Sequence, residues 1–230
     1  PSEDEKNMSL WKEKRIDFYT SELGINKDNL KFHQHSEEAL AHYAKDAFDI
    51  EYNFPFGWGE VEGIHNRTDF DLKEHEKLSG KNMMYFDQIK NEKYHPYIIE
   101  TSTGLNRLFL MVLCESYFED EENNRTVLKL PFDLAPNKAV ICPLLKKDGL
   151  PEKAHNIFNI INARYKCLYD EQGSIGKRYY RQDEAGTAFG ITIDHETLEN
   201  DTVTIRERDS MKQQRVSIDK ILQFISENKI

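Results

Sequence analysis

The segment 97–117 places a carboxylate, a short polar turn and a guanidinium within a few residues of one another. Its first residues are β-branched or aromatic, which predicts a short strand that ends near Glu100. A compact polar turn follows, and apolar residues then recur at helical spacing, which predicts a helix from Leu105. The segment is therefore expected to form a strand, a turn and a helix in direct succession.

Such a junction has the properties of an anion site. The free backbone N–H groups and the dipole at a helix start favour phosphate, and Gly104 carries no side chain that would keep a ligand away. Arg107 lies in the first helical turn and suits a phosphate or a nucleobase, whereas Glu100 suits an ammonium group. We expect this loop to hold a zwitterion and a nucleotide together.

A second group of charged residues lies between residues 54 and 72, where three glycines interrupt an apolar and acidic run. Glu60 and Glu62 are two positions apart, so strand alternation predicts both carboxylates on one face. Neighbouring carboxylates repel each other, and a Mg²⁺-bound triphosphate or an ammonium group would neutralise them. Arg67 is expected to clamp a substrate carboxylate or phosphate, or to form a structural salt bridge with Asp69 or Asp71.

The string ETSTGLNRLFLMVLCESY, residues 100–117, resembles the third signature motif of class II aminoacyl-tRNA synthetases, in the form found in glycyl-tRNA synthetases. A collinear resemblance of this length is more specific than any single motif. Thr101 and Ala188 stand where the family usually has proline, so we expect the local loop shape to differ there. The resemblance covers nearly the whole chain, including residues 41–52, 54–72, 134–144 and 173–187.

The resemblance implies two domains. Residues 1–135 would be the second half of a class II catalytic domain, an α+β fold with an antiparallel sheet, and residues 136–230 an anticodon-binding domain of the α/β type with a mixed sheet. It also implies a glycine–tRNA ligase that uses ATP and Mg²⁺ to form glycyl-adenylate and AMP, and that transfers the glycyl group to tRNA(Gly). The full-length parent is expected to be a cytoplasmic homodimer that binds neither membranes nor DNA.

On the matching positions, the resemblance implies roles for individual residues. Arg107 would be catalytic, because it would offset charge at the α-phosphate. Mg²⁺ would enter with ATP, with Glu60 as its candidate ligand, and no metal site made of protein groups alone is expected. The ATP-binding set is Glu60, Val61, Gly104, Leu105, Asn106 and Arg107, and the glycine-binding set is Glu100, Thr101, Ser102, Thr103 and Gly104 with Arg67.

Charge is distributed unevenly along the chain, whose net charge is -10. Residues 1–135 contain 27 acidic and 16 basic residues, whereas residues 136–230 contain 14 acidic and 15 basic residues. The cations of the second part cluster, including a Lys146–Lys147 pair, so contact with nucleic-acid phosphates is electrostatically feasible there. The residues nominated for contact with tRNA are Arg178, Arg181, Arg206 and Arg208.

Composition excludes several other classes. A mean hydropathy of -0.74 and the absence of a long apolar run argue against a membrane span. The 3 cysteines are far apart in apolar surroundings, which favours reduced buried thiols over a disulfide framework or a zinc site. His33, His35 and His42 could begin a metal site, but no carboxylate or cysteine follows at a convincing spacing for a fourth ligand.

Apolar periodicity predicts a helix over residues 8–23. Ser36 as N-cap, with Glu37 and Glu38 in the first turn, predicts a helix over residues 36–48, and residues 49–54 are predicted to form a strand. The first and second signature motifs of the resembled family have no counterpart before Trp11, so this chain alone is expected not to form glycyl-adenylate. An alternative is a non-catalytic, nucleic-acid-binding accessory protein related to class II synthetases. The joint presence of Glu60, Glu100, Ser102 and Arg107 argues against it. The acidic strand with Glu60 and Glu62, together with the Glu100 loop, argues against a different amino-acid specificity.

Overall fold

The computed structural model describes residues 1–230, which divide into two compact units, Pro1–Glu115 and Ser116–Ile230. The predicted domain boundary between residues 135 and 136 falls inside the second unit. The second unit begins earlier because it includes a hairpin that precedes this boundary, formed by Tyr117–Asp120 and Arg125–Leu128. The assignment of residues 1–135 and 136–230 to two families of domain stays a prediction.

The elements of the first part of the chain are α1 Asp4–Asp17, β1 Leu30–Gln34, β2 Asp46–Phe54, β3 Gly57–Asn66, α2 Phe70–Ser79, β4 Tyr85–Asp87, β5 Glu92–Tyr94, β6 Ile99–Thr103 and α3 Leu105–Ser116. The first unit is built on a four-stranded antiparallel sheet with the strand order β1-β2-β3-β6. Strands β4 and β5 form a separate hairpin.

One face of this sheet forms the core of the unit. Along β2, Ile50, Tyr52 and Phe54 are buried, while the residues between them are not. These side chains pack with Tyr19, from the turn after α1, and with Met111 of α3. Each such burial contributes about 1.5–3 kcal/mol. The other face of the sheet carries the alternate, mainly polar side chains and faces outward.

The predicted helix over residues 36–48 is wrong. Only a short 3₁₀ turn, Glu37–Ala39, forms, and strand β2 begins at Asp46. Residues 46–54 pair along their whole length with β3, and this non-local pairing prevails over the local capping signal at Ser36. The predicted strand over residues 49–54 forms as the last part of β2. The predicted helix over residues 8–23 forms as α1, followed by a wider turn at Phe18–Glu22.

The elements of the second unit are β7 Tyr117–Asp120, β8 Arg125–Leu128, β9 Ala139–Pro143, α4 Leu150–Asn162, β10 Cys167–Tyr169, α5 Ile175–Glu184, β11 Phe189–Ile193, α6 His195–Asn200, β12 Thr202–Glu207, β13 Gln213–Ser217 and α7 Ile221–Glu227. The unit contains a five-stranded mixed sheet with the order β10-β9-β11-β12-β13. Strands β10 and β11 run parallel to β9, and the remaining pairs are antiparallel.

The parallel centre of this sheet explains its sequence. Strands β9 and β11 are buried at every position, as expected for strands covered on both faces. Helix α4 buries its apolar face in the same core. The predicted α/β organisation with a mixed sheet is therefore confirmed, whereas the detailed class II catalytic fold of the first part stays a prediction. No helix is both long and apolar enough to cross a membrane.

Candidate functional site

A β-bulge in β3 decides which acidic residues reach the outward, mainly polar face of the four-stranded sheet, which we call the open face. Glu60 pairs with Glu51 and Glu62 pairs with Ile50, so Val61 is left without a partner. Directly opposed residues in antiparallel strands share a face. Glu60 therefore lies on the open face with Glu51, and Glu62 lies on the core face with Ile50. The prediction that both carboxylates share one face is wrong because the inserted residue reverses the alternation.

On the core face, Glu62 is held by the segment that contains α1. Its carboxylate accepts hydrogen bonds from Arg15 Nε at 2.6 Å and Nη2 at 2.8 Å, and from the Tyr19 hydroxyl at 2.6 Å. The Glu62 side chain is only 1% exposed. Burial, followed by the hydrogen bond to Glu62, raises the pKa of Tyr19 to about 12. Glu62 is thus a structural anchor and faces away from any ligand on the open face.

Glu100 and Ser102 lie next to each other on the open face, opposite His65 and Gly63 of β3. The Oε2 atom of Glu100 accepts a hydrogen bond from Arg67 Nη1 at 2.7 Å, while Oε1 accepts none. The Ser102 side chain is exposed. One carboxylate oxygen and one hydroxyl therefore remain available, and an ammonium group has the three donors to use both.

The guanidinium of Arg67 is already engaged. Its Nε and Nη2 atoms donate to Asp71 at 2.6 and 3.1 Å, and its centre lies 4.1 Å from the ring of Tyr43. The hydrogen bond from Arg67 also lowers the pKa of Asp71. Asp69 pairs instead with Lys73, so the salt bridge goes to Asp71. Arg67 is therefore not a free clamp for a substrate carboxylate, and the structure makes it a partner of Glu100.

An open cavity of about 330 Å³ lies where β3 meets the start of α3. Arg107 Nη1 donates to the backbone carbonyl of Glu60 at 2.7 Å and lies 3.7 Å from its Oε2 atom. A methyl group at Gly104 would meet nothing within 4 Å, so there is space beside this turn. The cavity is lined by the six residues assigned to ATP, Glu60, Val61, Gly104, Leu105, Asn106 and Arg107.

The other predicted glycine-binding residues separate into two groups. Thr101 pairs with Ile64, and Thr103 pairs with Glu62, so both threonines lie on the core face. The Thr103 hydroxyl donates to the carbonyl of Val61 at 2.8 Å, which ties β6 to the bulge. Glu100 and Ser102 lie on the open face but do not line the cavity at Gly104. The structure places the two predicted subsites along one face rather than in one cavity.

Three of the four arginines nominated for tRNA contact are buried in the second unit. Arg206 donates through both terminal nitrogens to Asp183 at 2.9 Å. Arg208 donates to two backbone carbonyls at 3.0 Å, and Arg178 donates to that of Pro143 at 2.6 Å. Their exposed fractions are 4%, 1% and 3%, in that order. As placed, they stabilise the fold and are not presented to a phosphate, which corrects their nomination.

Arg181 is the exposed member of that set, although it pairs with Asp170. Sequence reasoning noted the Lys146–Lys147 pair but did not nominate it. Both lysine side chains are more than half exposed, and they follow the end of β9. The signal that could have identified them is a pair of cations directly after a buried apolar strand, since ligands in α/β sheets bind at the carboxyl ends of strands.

Comparison of the sequence with known proteins gives a domain-family match in the second unit and matches to relatives along nearly the whole chain. Residues 138–228 match the family model of the anticodon binding domain. The chain is 48% identical over 220 residues to the glycine–tRNA ligase of Borrelia hermsii, 49% over 224 residues to that of Treponema denticola and 49% over 230 residues to that of Clostridium tetani. These alignments cover 94%, 94% and 99% of this chain and 49% of each relative, so the chain spans about half their length.

Proposed function

We propose that this chain, which belongs to the glycine–tRNA ligase family over the half of those enzymes that it spans, supplies part of a glycine-activating site and an anticodon-reading domain. In the proposed reaction, the glycine carboxylate attacks the α-phosphate of ATP, pyrophosphate leaves, and the glycyl group then passes to tRNA(Gly). An accessory role without catalysis is not favoured, because glycine–tRNA ligases match along 94% or more of the chain.

The observation that carries this proposal is the arrangement of the open sheet face. Glu100 and Ser102 offer acceptors for an ammonium group, and Arg107 and Gly104 offer a cation and an open turn for a nucleotide. Four residues of extended strand span about 13 Å, so Glu100 and Gly104 are separated by a length that suits an aminoacyl-adenylate. The two ends of the proposed intermediate would meet opposite charges on one face.

The cavity beside Arg107 fits the nucleotide part of this proposal. Arg107 is 58% exposed and uses one of its five N–H donors on the Glu60 carbonyl, so the others remain for phosphate oxygens. Glu60 is 54% exposed, and its single carboxylate suits a metal ion whose other ligands are phosphate oxygens and water. Bound there with ATP, Mg²⁺ would neutralise charge on the triphosphate.

The chain's own residues would act by orientation and electrostatics, and no covalent enzyme intermediate is required. Glu100 would fix the ammonium end, which aims the glycine carboxylate toward the phosphate. Arg107 would stabilise the negative charge that develops on the α-phosphate. Preference for glycine over larger amino acids would come from steric exclusion, since binding of one methylene is worth only about 1–3 kcal/mol.

In the second unit, we propose that tRNA meets the edge where β9 and its neighbours end. Lys146, Lys147 and Arg181 are exposed cations near this edge, and they would position the RNA backbone. Replacing Lys147 with alanine is expected to weaken tRNA binding. It should also reduce the slope of log K against log salt concentration by about one. The full-length protein is also proposed to be a cytoplasmic homodimer, which light scattering after size exclusion would test for oligomeric state.

The central test uses glycine-dependent exchange of pyrophosphate into ATP by the full-length protein. Glu100→Gln is expected to raise the KM for glycine, and Arg107→Ala to lower kcat by 100-fold or more, about 2.7 kcal/mol of transition-state stabilisation. The matched controls are Glu13→Gln and Arg164→Ala, because both side chains are exposed and lie outside the site. Exchange by the unmodified protein with another amino acid, but not with glycine, would refute the proposal.

A further inference from the structure

We propose that Asp71 acts as a charge-balancing and positioning residue for Glu100, and that it acts through Arg67. The inference rests on the proposed function, in which Glu100 receives the ammonium group of glycine. Asp71 lies in the first turn of α2, and its side-chain hydrogen bonds go to Arg67 rather than to Glu100 or Ser102. Its influence would be exerted through a fixed guanidinium, so it is a positioning residue rather than a catalytic one.

The geometry of Arg67 makes this coupling specific. Its Nε and Nη2 atoms donate to the two oxygens of Asp71, at 2.6 and 3.1 Å, in a fork-to-fork pair. The remaining nitrogen, Nη1, then donates to Glu100 Oε2 at 2.7 Å. The ring of Tyr43 packs 4.1 Å from the guanidinium carbon. Because the guanidinium is planar and rigid, fixing one edge on Asp71 fixes the position of Glu100 Oε2 as well.

The backbone around Arg67 supports the same contact. The Arg67 N–H donates to the carbonyl of Ile98, and the Ile98 N–H donates to the carbonyl of Thr68, each at 2.9 Å. This pair ties the turn before α2 to the residue that immediately precedes β6, two positions before Glu100. Thr68 has a φ of 54°, an unfavourable left-handed conformation that persists only where surrounding contacts hold it.

The charge of this group gives Asp71 its second role. Two carboxylates share one guanidinium, so Asp71, Arg67 and Glu100 together keep one net negative charge. If Asp71 were neutral, Glu100 and Arg67 would form a neutral pair with little attraction for a cation. The other titratable group close to Glu100 is His65, whose Nδ1 atom lies 3.9 Å from Oε2. Oε1 of Glu100, which accepts no hydrogen bond, is thus a free acceptor in a group of side chains that keeps one net negative charge.

The test compares Asp71→Asn with Asp69→Asn in the full-length protein. Asp69 is the matched control because it lies two residues earlier and pairs with Lys73 rather than with Arg67. Asp71→Asn is expected to raise the KM for glycine about 10- to 30-fold in pyrophosphate exchange, with the KM for ATP unchanged. The reason is that the lost charge of Asp71 would act on an ammonium group at Glu100 from roughly 8 Å, through an effective dielectric constant of about 20. Asp71→Glu, which keeps the charge, is expected to recover most of the loss.

The outcomes separate this inference from the proposed function. A KM for glycine that is the same in Asp71→Asn as in Asp69→Asn would overturn the inference and leave the proposed function intact. Equal increases in the KM for glycine and for ATP, or a loss of thermal stability that Asp71→Glu does not restore, would show a merely structural role and would also overturn it. Absence of glycine-dependent exchange in the unmodified protein would refute the function, and the inference with it.

Discussion

Replacing Arg15 with alanine tests the idea that a buried ion pair fixes the bulge of β3. The substitution would leave the Glu62 carboxylate, which is 1% exposed, with only the Tyr19 hydroxyl as a strong donor. Removing one partner of a buried pair costs about 3–5 kcal/mol. Arg15 is 19% exposed and Tyr19 remains, so we expect the lower limit, a loss of about 3 kcal/mol in the free energy of unfolding.

Urea denaturation followed by tryptophan fluorescence measures this loss in the first unit, because both tryptophans of the chain, Trp11 and Trp58, lie there. The matched control is Lys6→Ala, which removes an exposed cation from the same helix. The double replacement Arg15→Met with Glu62→Leu should recover much of the stability, since it removes both charges together. A loss below 0.5 kcal/mol relative to the control would refute the reasoning.

Two further predictions concern the second unit. Gly190→Ala is expected to lower the free energy of unfolding by about 1–3 kcal/mol, because its new Cβ would lie 2.7 Å from Cδ1 of the Tyr179 ring. Gly176→Ala, whose Cβ would meet nothing within 4 Å, should raise the free energy of unfolding by about 0.5–1 kcal/mol in the same urea titrations. Hydrogen bonds from Arg215 lower the pKa of Asp194 to about 2 from 3.8, so this carboxylate stabilises the fold above pH 4 and loses its contribution as the pH falls toward 2. Urea titrations followed by circular dichroism across that pH range should show that the free energy of unfolding falls by about 1–2 kcal/mol in the unmodified protein but not in Asp194→Asn. An equal loss in the two proteins would contradict the assignment.

Local sequence signals predicted the order of strand, turn and helix around Gly104 and the helix start at Leu105, but β6 continues to Thr103 through residues that were expected to form the turn. The transition from β-branched residues to a polar turn and then to helical spacing is read within a few positions, and β6 and α3 form there. The ATP-assigned residues at this junction also line one cavity, because four of the six are consecutive in the chain. Proximity in sequence was sufficient for that part of the candidate site.

The errors have non-local causes. The first part of β2, residues 46–48, was predicted as the end of a helix, since its pairing partners, residues 64–66 of β3, are distant in the chain. The bulge leaves no compositional mark, so the sequence placed Glu60 and Glu62 on one face. Arg206 and Arg208 were taken for surface cations because the buried acceptors that they reach are distant in the chain. These acceptors are Asp183 for Arg206 and the backbone carbonyls of Leu130 and Gly186 for Arg208. A guanidinium with enough acceptors can be buried, and only the fold shows where those acceptors lie.

The unpaired residue Val61 shifts the alternation of inward and outward side chains along β3 by one position. Even-numbered positions before it, such as Glu60, face outward, and even-numbered positions after it, such as Glu62 and Ile64, face the core. A strand of constant period cannot send acids two positions apart to opposite sides, so segment length here matters as much as residue identity. Deleting Val61 or inserting one further residue beside it would each leave the two acids an odd number of positions apart, so a regular strand without the bulge would keep both on their present sides.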